Sequence, residues 1–426
     1  MSIFSRFRIF AENNQVTLSQ SLIILLLFSS LLAGFGGLHY GLLTGLSLVA
    51  IAIALSSKYT LSSVYLRHKR ALIVLGFLYI WMWVSALFSE FAGTAIAYSL
   101  KYSIYFIVFL AFLIISYTRK KELFCEHLIF RLLILISLLG ILEFVFPDLT
   151  ILELMREPDF YPRITSILQQ PSHFGILMSV GAVLALIFYQ ERAISKLEFS
   201  LSLSLFIISI SLSASKTAWL VFTIGLGMLW LYKTIKIRGA ILIVSTLAVC
   251  ILFLSGSKEQ VSLNNQKVFP LLNQGIEQPE PILPAKELAK NKFKAQDYAE
   301  NSLWNLAIEE FIKRPITGIG TGVFLNHIQG QDSKENTGFY THNIFVQVLV
   351  ELGAPGLLLL ILLIWNLVKT INLRAPQFAI PIIIFLVSQL VDSMLNDYAF
   401  TVIELYFWAD ASNWASLPNS DYRLGS

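Results

Sequence analysis

Three short stretches of this chain carry cationic or titratable side chains beside long apolar runs. Arg163 stands in Pro162-Arg163-Ile164-Thr165-Ser166, just ahead of Gln169-Gln170-Pro171-Ser172-His173. Lys216 stands in Ser213-Ala214-Ser215-Lys216-Thr217-Ala218-Trp219, and His342 in Tyr340-Thr341-His342-Asn343. Fixed cations stabilise a group that gains negative charge as it reacts. An imidazole, with an ordinary pKa of about 6.5, can take a proton near neutrality. A helix starting after His342 places the ring at its N-terminus, where the positive end of the dipole disfavours imidazolium and leaves a nitrogen free to accept. Each residue also has a plainer reading: Arg163 pairing with a lipid phosphate, Lys216 snorkelling to the interface, His342 capping a helix. His173 and His327 are secondary candidates. Lys101, inside an apolar run, pairs with a carboxylate or snorkels, and His39, His68 and His127 read as loop residues.

The elements that must hold these groups are set by composition. The chain has 426 residues, 56% hydrophobic and 14% charged, with a mean hydropathy of +0.70. Soluble domains run at roughly 45–50% apolar and about 25% charged, so a soluble enzyme, a disordered chain and a disulfide scaffold are excluded. Cys125 and Cys250 lie in different apolar runs and form neither a disulfide framework nor a metal cluster. A bilayer-crossing helix needs about 20 mainly apolar residues. On that rule the spans fall near 18–36, 39–57, 71–89, 95–117, 128–146, 172–189, 198–213, 217–232, 239–255, 343–368, 377–395 and 399–414. The last is interrupted by Glu404 and Asp410, and its Tyr406, Phe407, Trp408 and Trp414 could form an interfacial belt instead. The fold class expected is an all-α polytopic membrane protein of about twelve spans. Its segments are 1–255 with spans one to nine, a large loop 256–341, 342–414 with the last three spans, and a tail 415–426.

Basic residues give the orientation. Alternate segments hold Arg6 and Arg8; Lys58, Arg67, Lys69 and Arg70; Arg119, Lys120, Lys121 and Arg131; Arg192 and Lys196; Lys233, Lys236 and Arg238; Lys369 and Arg374; and Arg423. The opposite short loops hold Arg156, Arg163 and Lys216. Positive charge stays on the cytoplasmic side, so both termini are expected there and the large loop outside. In that loop a helix is expected over Ala285 to Lys313, ended by Arg314-Pro315 and followed by the turn Gly318-Ile319-Gly320-Thr321-Gly322. Gly353-Ala354-Pro355-Gly356 should break the helix that follows His342.

The run from Thr341-His342-Asn343 through Glu351-Leu352-Gly353 to Gly356-Leu357 resembles the signature of the O-antigen ligase and O-antigen polymerase superfamily. Trp304-Asn305-Leu306-Ala307 leading to Pro315, Gly318 and Gly320 is similar to that family's Trp-helix-Pro-Gly-x-Gly element, and Ser213 to Trp219 to its Ser-Arg/Lys-x-Ala element. Arg163 followed by Pro171-Ser172 resembles its Arg…Pro-Asn element. The resemblance covers about 163–368. It implies a bacterial inner membrane protein with a periplasmic loop, a glycan donor attached to undecaprenyl diphosphate, and a glycan or lipid A core acceptor. The bilayer itself is a partner, a flippase and a chain-length regulator are the protein partners implied, and nucleic acid is not one. Many ligases of the family have Arg where Lys216 stands, and a second Arg where this chain has Glu300. A lysine offers a point charge rather than a bidentate fork, and these departures favour a polymerase, whose pattern is looser.

Under this reading His342 is the catalytic base, Arg163 and Lys216 bind the diphosphate, and Asn343 and Glu300 have supporting places. No Asp-x-Asp pair occurs in the outer loops, so neither a metal nor another cofactor is expected. The alternatives are an O-antigen ligase, a protein O-oligosaccharyltransferase, a twelve-span transporter and a membrane scaffold whose loop docks a partner. A transporter predicts two related halves with broken helices near the midplane, and the spans show no such two-fold relation.

Overall fold

The computed structural model describes residues 21–27, 29, 44–48, 58–118, 124–146, 163–166, 168, 170–231, 300–324, 341–369, 376–391 and 398–414. Regular structure among them is helical throughout. The longer helices are α1 (Lys58–Leu87), α2 (Ala92–Thr118), α3 (Phe124–Val145), α4 (Pro171–Gln190), α5 (Lys196–Ser213), α6 (Lys216–Leu231), α7 (Glu300–Lys313), α8 (Ile344–Val368), α9 (Pro376–Val391) and α10 (Tyr398–Trp414). Among the described residues six helices, α1 to α5 and α8, are long and apolar enough to cross a membrane, and α6 and part of α9 are shorter apolar helices. The protein is an all-α, multi-pass membrane protein. Of the first two expected spans, 21–27, 29 and 44–48 are described, and they are helical. The expected ninth span at 239–255 lies outside the described residues, as do 256–299, 325–340, the tail 415–426, Arg156, His39 and His327.

Helix α4 forms the centre. It is apolar on all sides, as a helix buried within a bundle must be, and every residue from His173 to Phe188 is buried. Pro171 opens it at a position where a missing amide costs nothing. α5, α6, α3 and α9 pack around it, and α10 packs against α2 and α9. Close approach depends on small residues, as is general for membrane helices. A Cβ at Gly181 would lie 2.7 Å from the Phe206 ring on α5. Buried hydroxyls bond to backbone or to each other: Ser179 donates to Gly175 O (2.8 Å) and lies 2.9 Å from Ala218 O, and Ser137 pairs with Ser209 at 2.8 Å. α5 begins with a capping serine, Ser195, which accepts from the Glu198 amide at 3.1 Å.

Three expectations are corrected. α1 starts at Lys58, thirteen residues before the expected span, because nothing from Lys58 to Arg70 breaks a helix. At about 1.5 Å per residue its 30 residues outreach the roughly 30 Å of hydrocarbon, so the basic turn lies on a helical extension. His68 and His127 are helical rather than in loops: His68 is buried in α1, and His127 lies in α3, which starts at Phe124, and stacks on Phe188 with centroids 4.4 Å apart. The aromatic cluster of the last span is not an interfacial belt. Tyr406 and Phe407 are fully buried, Tyr406 meets Phe112 edge-on at 5.6 Å, and Glu404 accepts from Gln389 (3.0 Å) and Trp408 (3.3 Å). The outer-loop helix is described only over Glu300–Lys313, with 285–299 outside the described residues. The Lys101 ammonium sits over the Tyr98 ring, 5.3 Å from the centroid.

The expected break in α8 is present. Gly353 has φ 70° and ψ −174°, outside the helical region, and a Cβ there would strike the Ile316 carbonyl. Pro355 lacks the amide that would bond Glu351 O. The carbonyls released by the break are taken up by segments distant in sequence. Val350 O accepts from the Ile319 amide and Glu351 O from the Gly320 amide, both at 3.0 Å, while the Ala354 amide turns to Pro315 O at 2.9 Å. From α1, Ser85 Oγ donates to Glu351 O (3.0 Å) and Trp81 Nε1 to Leu352 O (2.8 Å). In a bilayer an irregular backbone survives only where protein or water satisfies it, and here residues 315–320 and the end of α1 do so.

Candidate functional site

The Lys216 turn is built by its serines. α5 ends at Ser213, Ala214 adopts a left-handed conformation with φ 48°, and Ser215 caps α6 by accepting from the Ala218 amide at 3.2 Å. The turn is tightened by Ser213 Oγ, which donates to Ile210 O (2.7 Å) and accepts from the Ser215 amide (3.3 Å). Lys216 is thus the first residue of α6 and is exposed. A cation at a helix N-terminus opposes the dipole, whereas an anion is favoured there. The position is costly for a lysine that serves only the fold and suited to one that meets an anion.

Arg163 joins that turn directly. Its Nε donates to Ser213 O at 3.0 Å, and the next amide, Ile164 N, donates to Leu212 O at 3.4 Å. The segment is anchored from beneath by Glu143, a buried carboxylate at the end of α3. Its Oε2 accepts from the amides of Thr165 (3.2 Å) and Ser166 (2.6 Å), and Ser166 Oγ donates to Ile136 O at 2.9 Å. Glu143 escaped the reading of the sequence, where it is one acidic residue near the end of an apolar run. The signal it carries is the same as for the cations, an ionisable residue inside a membrane helix.

His342 lies one residue before the N-cap of α8 and also has a left-handed backbone, φ 52°. Asn343 is that cap: its Oδ1 accepts from the amides of Phe345 (2.9 Å) and Val346 (3.2 Å), and its Nδ2 donates to Leu390 O at 2.9 Å on α9. The asparagine therefore seats the His342 end of α8 on α9, and α9 in turn packs on α6, the helix that Lys216 begins. Trp304 Nε1 donates to Thr341 O at 2.7 Å, so α7 holds the residue preceding the imidazole. Glu300 is the first residue of α7. His173 is buried on α4.

The sequence candidates come together as one directly bonded pair of segments, 163–166 and 213–216, and a separate anchored segment, 341–343, tied to the bundle through α9 and α7. Ser166, Ala214 and His342, one in each segment, are three of the four non-glycine residues with positive φ among the described residues; the fourth is Arg192. Such conformations cost about 1–3 kcal/mol each and cluster where function fixes geometry. Residues 199–361 match the O-antigen ligase family, Wzy_C. The match takes in the Lys216 turn, α7, the 314–324 segment, His342 and the break in α8, while Arg163 lies ahead of it. No curated protein matches the chain. The Wzy_C family consists of membrane glycan enzymes of ligase or polymerase type, and lipid-linked glycans are the substrates it implies.

Proposed function

We propose that the protein is a membrane glycosyltransferase of the bacterial inner membrane that polymerises oligosaccharide units carried on undecaprenyl diphosphate. The observation that carries this reading is the bond from Arg163 to the Lys216 turn, which puts two cations and the α6 N-terminus in adjoining segments. In this reaction the acceptor hydroxyl attacks the anomeric carbon, and His342 takes the hydroxyl proton. The bond from that carbon to the diphosphate oxygen breaks, and Arg163, Lys216 and the helix end stabilise the charge left on the departing undecaprenyl diphosphate. The bond electrons leave with the diphosphate, and the new glycosidic bond uses the acceptor oxygen. Catalysis needs no metal. Both termini are cytoplasmic, and the loop carrying α7 faces the periplasm.

Lys216 and Glu300, where many ligases carry arginines, favour polymerase over ligase. Deleting the gene and resolving lipopolysaccharide and extracellular polymer on a gel tests this. Single repeats still attached to core, with the ladder of longer chains lost, support polymerase; free polymer beside bare core overturns it in favour of ligase. Complementation with His342→Ala should leave the deletion pattern unchanged, and treatment with a chelator should leave the wild-type pattern intact.

A further inference from the structure

We propose that Glu351 is a positioning residue for His342, an inference that rests on the reading of His342 as the base. Glu351 is buried about two turns into α8, just before the break. Its carboxylate faces two donors. Gln347 Nε2 donates to Oε1 at 2.6 Å, and the Gly322 amide donates to the same carboxyl group. Gln347 passes the connection on: its Oε1 accepts from the Thr341 amide at 3.3 Å and lies 3.1 Å from Thr341 Oγ1, whose single proton is shared with Asn343 O at 2.9 Å. The polarity of the chain is therefore fixed in one direction, from Thr341 to Gln347 to Glu351, with Gly322 arriving from the other side. Thr341 is the neighbour of His342, and Gly322 belongs to the segment that docks on α2 and the turn before it, where Ser89 Oγ donates to Ile319 O at 2.5 Å and Ser99 Oγ to Thr321 Oγ1 at 3.4 Å.

The backbone bonds at the break use the Glu351 carbonyl, not its side chain, so holding the break does not require a carboxylate at this position. The two facing N–H groups do. A glutamine keeps one acceptor oxygen and replaces the other with N–H₂, so the two donors must crowd onto a single oxygen or one of them faces N–H₂ unmatched. The left-handed backbone at His342 is thus held from two sides, by the Asn343 cap below and by the Thr341–Gln347–Glu351 chain above.

The polarity supplies the test. Glu351→Gln alone mismatches one donor, and Gln347→Glu alone sets two carboxyl groups against each other. The double variant Glu351→Gln with Gln347→Glu restores every bond: a carboxylate at 347 accepts from Thr341 and from the amide at 351, whose oxygen accepts from Gly322. Steady-state transfer from undecaprenyl-diphosphate-linked glycan by the purified full-length protein should show turnover lowered about tenfold or more in each single variant, because small displacements of a catalytic group are costly. The KM for donor should be unchanged, and the double variant should recover to within about threefold of wild type. Hydrogen exchange gives a readout independent of activity: Glu351→Gln should raise exchange both in 318–324 and in 341–347, and the double variant should restore both. Wild-type turnover in Glu351→Gln, or a double variant no better than the singles, overturns the proposal. His342→Ala is measured alongside. Full transfer by that variant removes the reading of His342 itself, whereas an inactive His342→Ala with a fully active Glu351→Gln removes only the role of Glu351.

Discussion

The surroundings of α4 and the break in α8 solve the same problem, stable packing within a bilayer, by opposite means. Around α4 the contacts are apolar surfaces and small residues meeting closely, with serine hydroxyls turned back on the helices. At the break, a kinked backbone is held by amides, a tryptophan and a serine contributed from α1 and from residues 315–320. The first arrangement depends on volume and tolerates changes that keep it. The second depends on individual donors meeting individual acceptors and tolerates little. The difference teaches where to look for function, because Gln347 and Glu351 belong to the helix that carries the break, His342 immediately precedes its cap, and none of the proposed catalytic groups is in α4.

The contrast can be broken or sharpened by substitution. Gly353→Val should have the largest effect on folding. A β-branched side chain at φ 70°, pressed against Ile316 O, costs at least about 3 kcal/mol, and the folded yield in the membrane should collapse. Gly181→Leu tests the other region. The new side chain would push into Phe206, an overpacking cost of about 1–3 kcal/mol, while Leu184→Met at nearly equal volume should cost less than about 1.5 kcal/mol. Thermal unfolding in detergent ranks all three, and a Gly353→Val protein as stable as Leu184→Met would erase the distinction.

The cations give a smaller, functional difference. Arg163→Lys loses the Nε bond to Ser213 O and should lower transfer about tenfold, whereas Lys216→Arg keeps an exposed charge at the start of α6 and should retain most activity. Equal losses in the two variants would remove the positional role of the Arg163 bond.

The smallest effect lies at the far end of α4. Burial, reinforced by the negative charge of Glu126, raises the Glu191 carboxyl from 4.5 to about 7. A carboxyl raised in the folded state is destabilised when ionised, so this cost is absent below about pH 4.5, grows as pH rises and is complete above about pH 7. Glu191→Gln should therefore unfold at a higher temperature than wild type at about pH 8, with the difference vanishing at about pH 4. A gain that is the same at both values would contradict the assignment.

Much of this was legible in the sequence, for reasons that differ from residue to residue. Apolar runs of about 20 residues mark the membrane helices because the bilayer imposes that length, and Gly353 with Pro355 announces the break because both disfavour continued helix. Helix ends were not legible from hydropathy, as His68 and the early start of α1 demonstrate: a helix continues past its apolar stretch when nothing stops it. The aromatic residues 406–408 were ambiguous because the same side chains serve an interface or a core, and only the packing partners decide. Arg163, Lys216 and His342 stood out as costly residues at the edges of apolar runs. Glu143 and the Gln347–Glu351 pair did not, since their meaning lies in donors from α8 and from segments far away in the chain.

The central claim is that an imidazole and two cations move a glycan from its diphosphate carrier. It is tested most directly by reconstituting the purified protein in liposomes with undecaprenyl-diphosphate-linked oligosaccharide and following release of undecaprenyl diphosphate. Wild-type protein should release it as longer glycan chains form, and His342→Ala, equally abundant and equally stable, should release none above background. Release at the wild-type rate from His342→Ala would contradict the account.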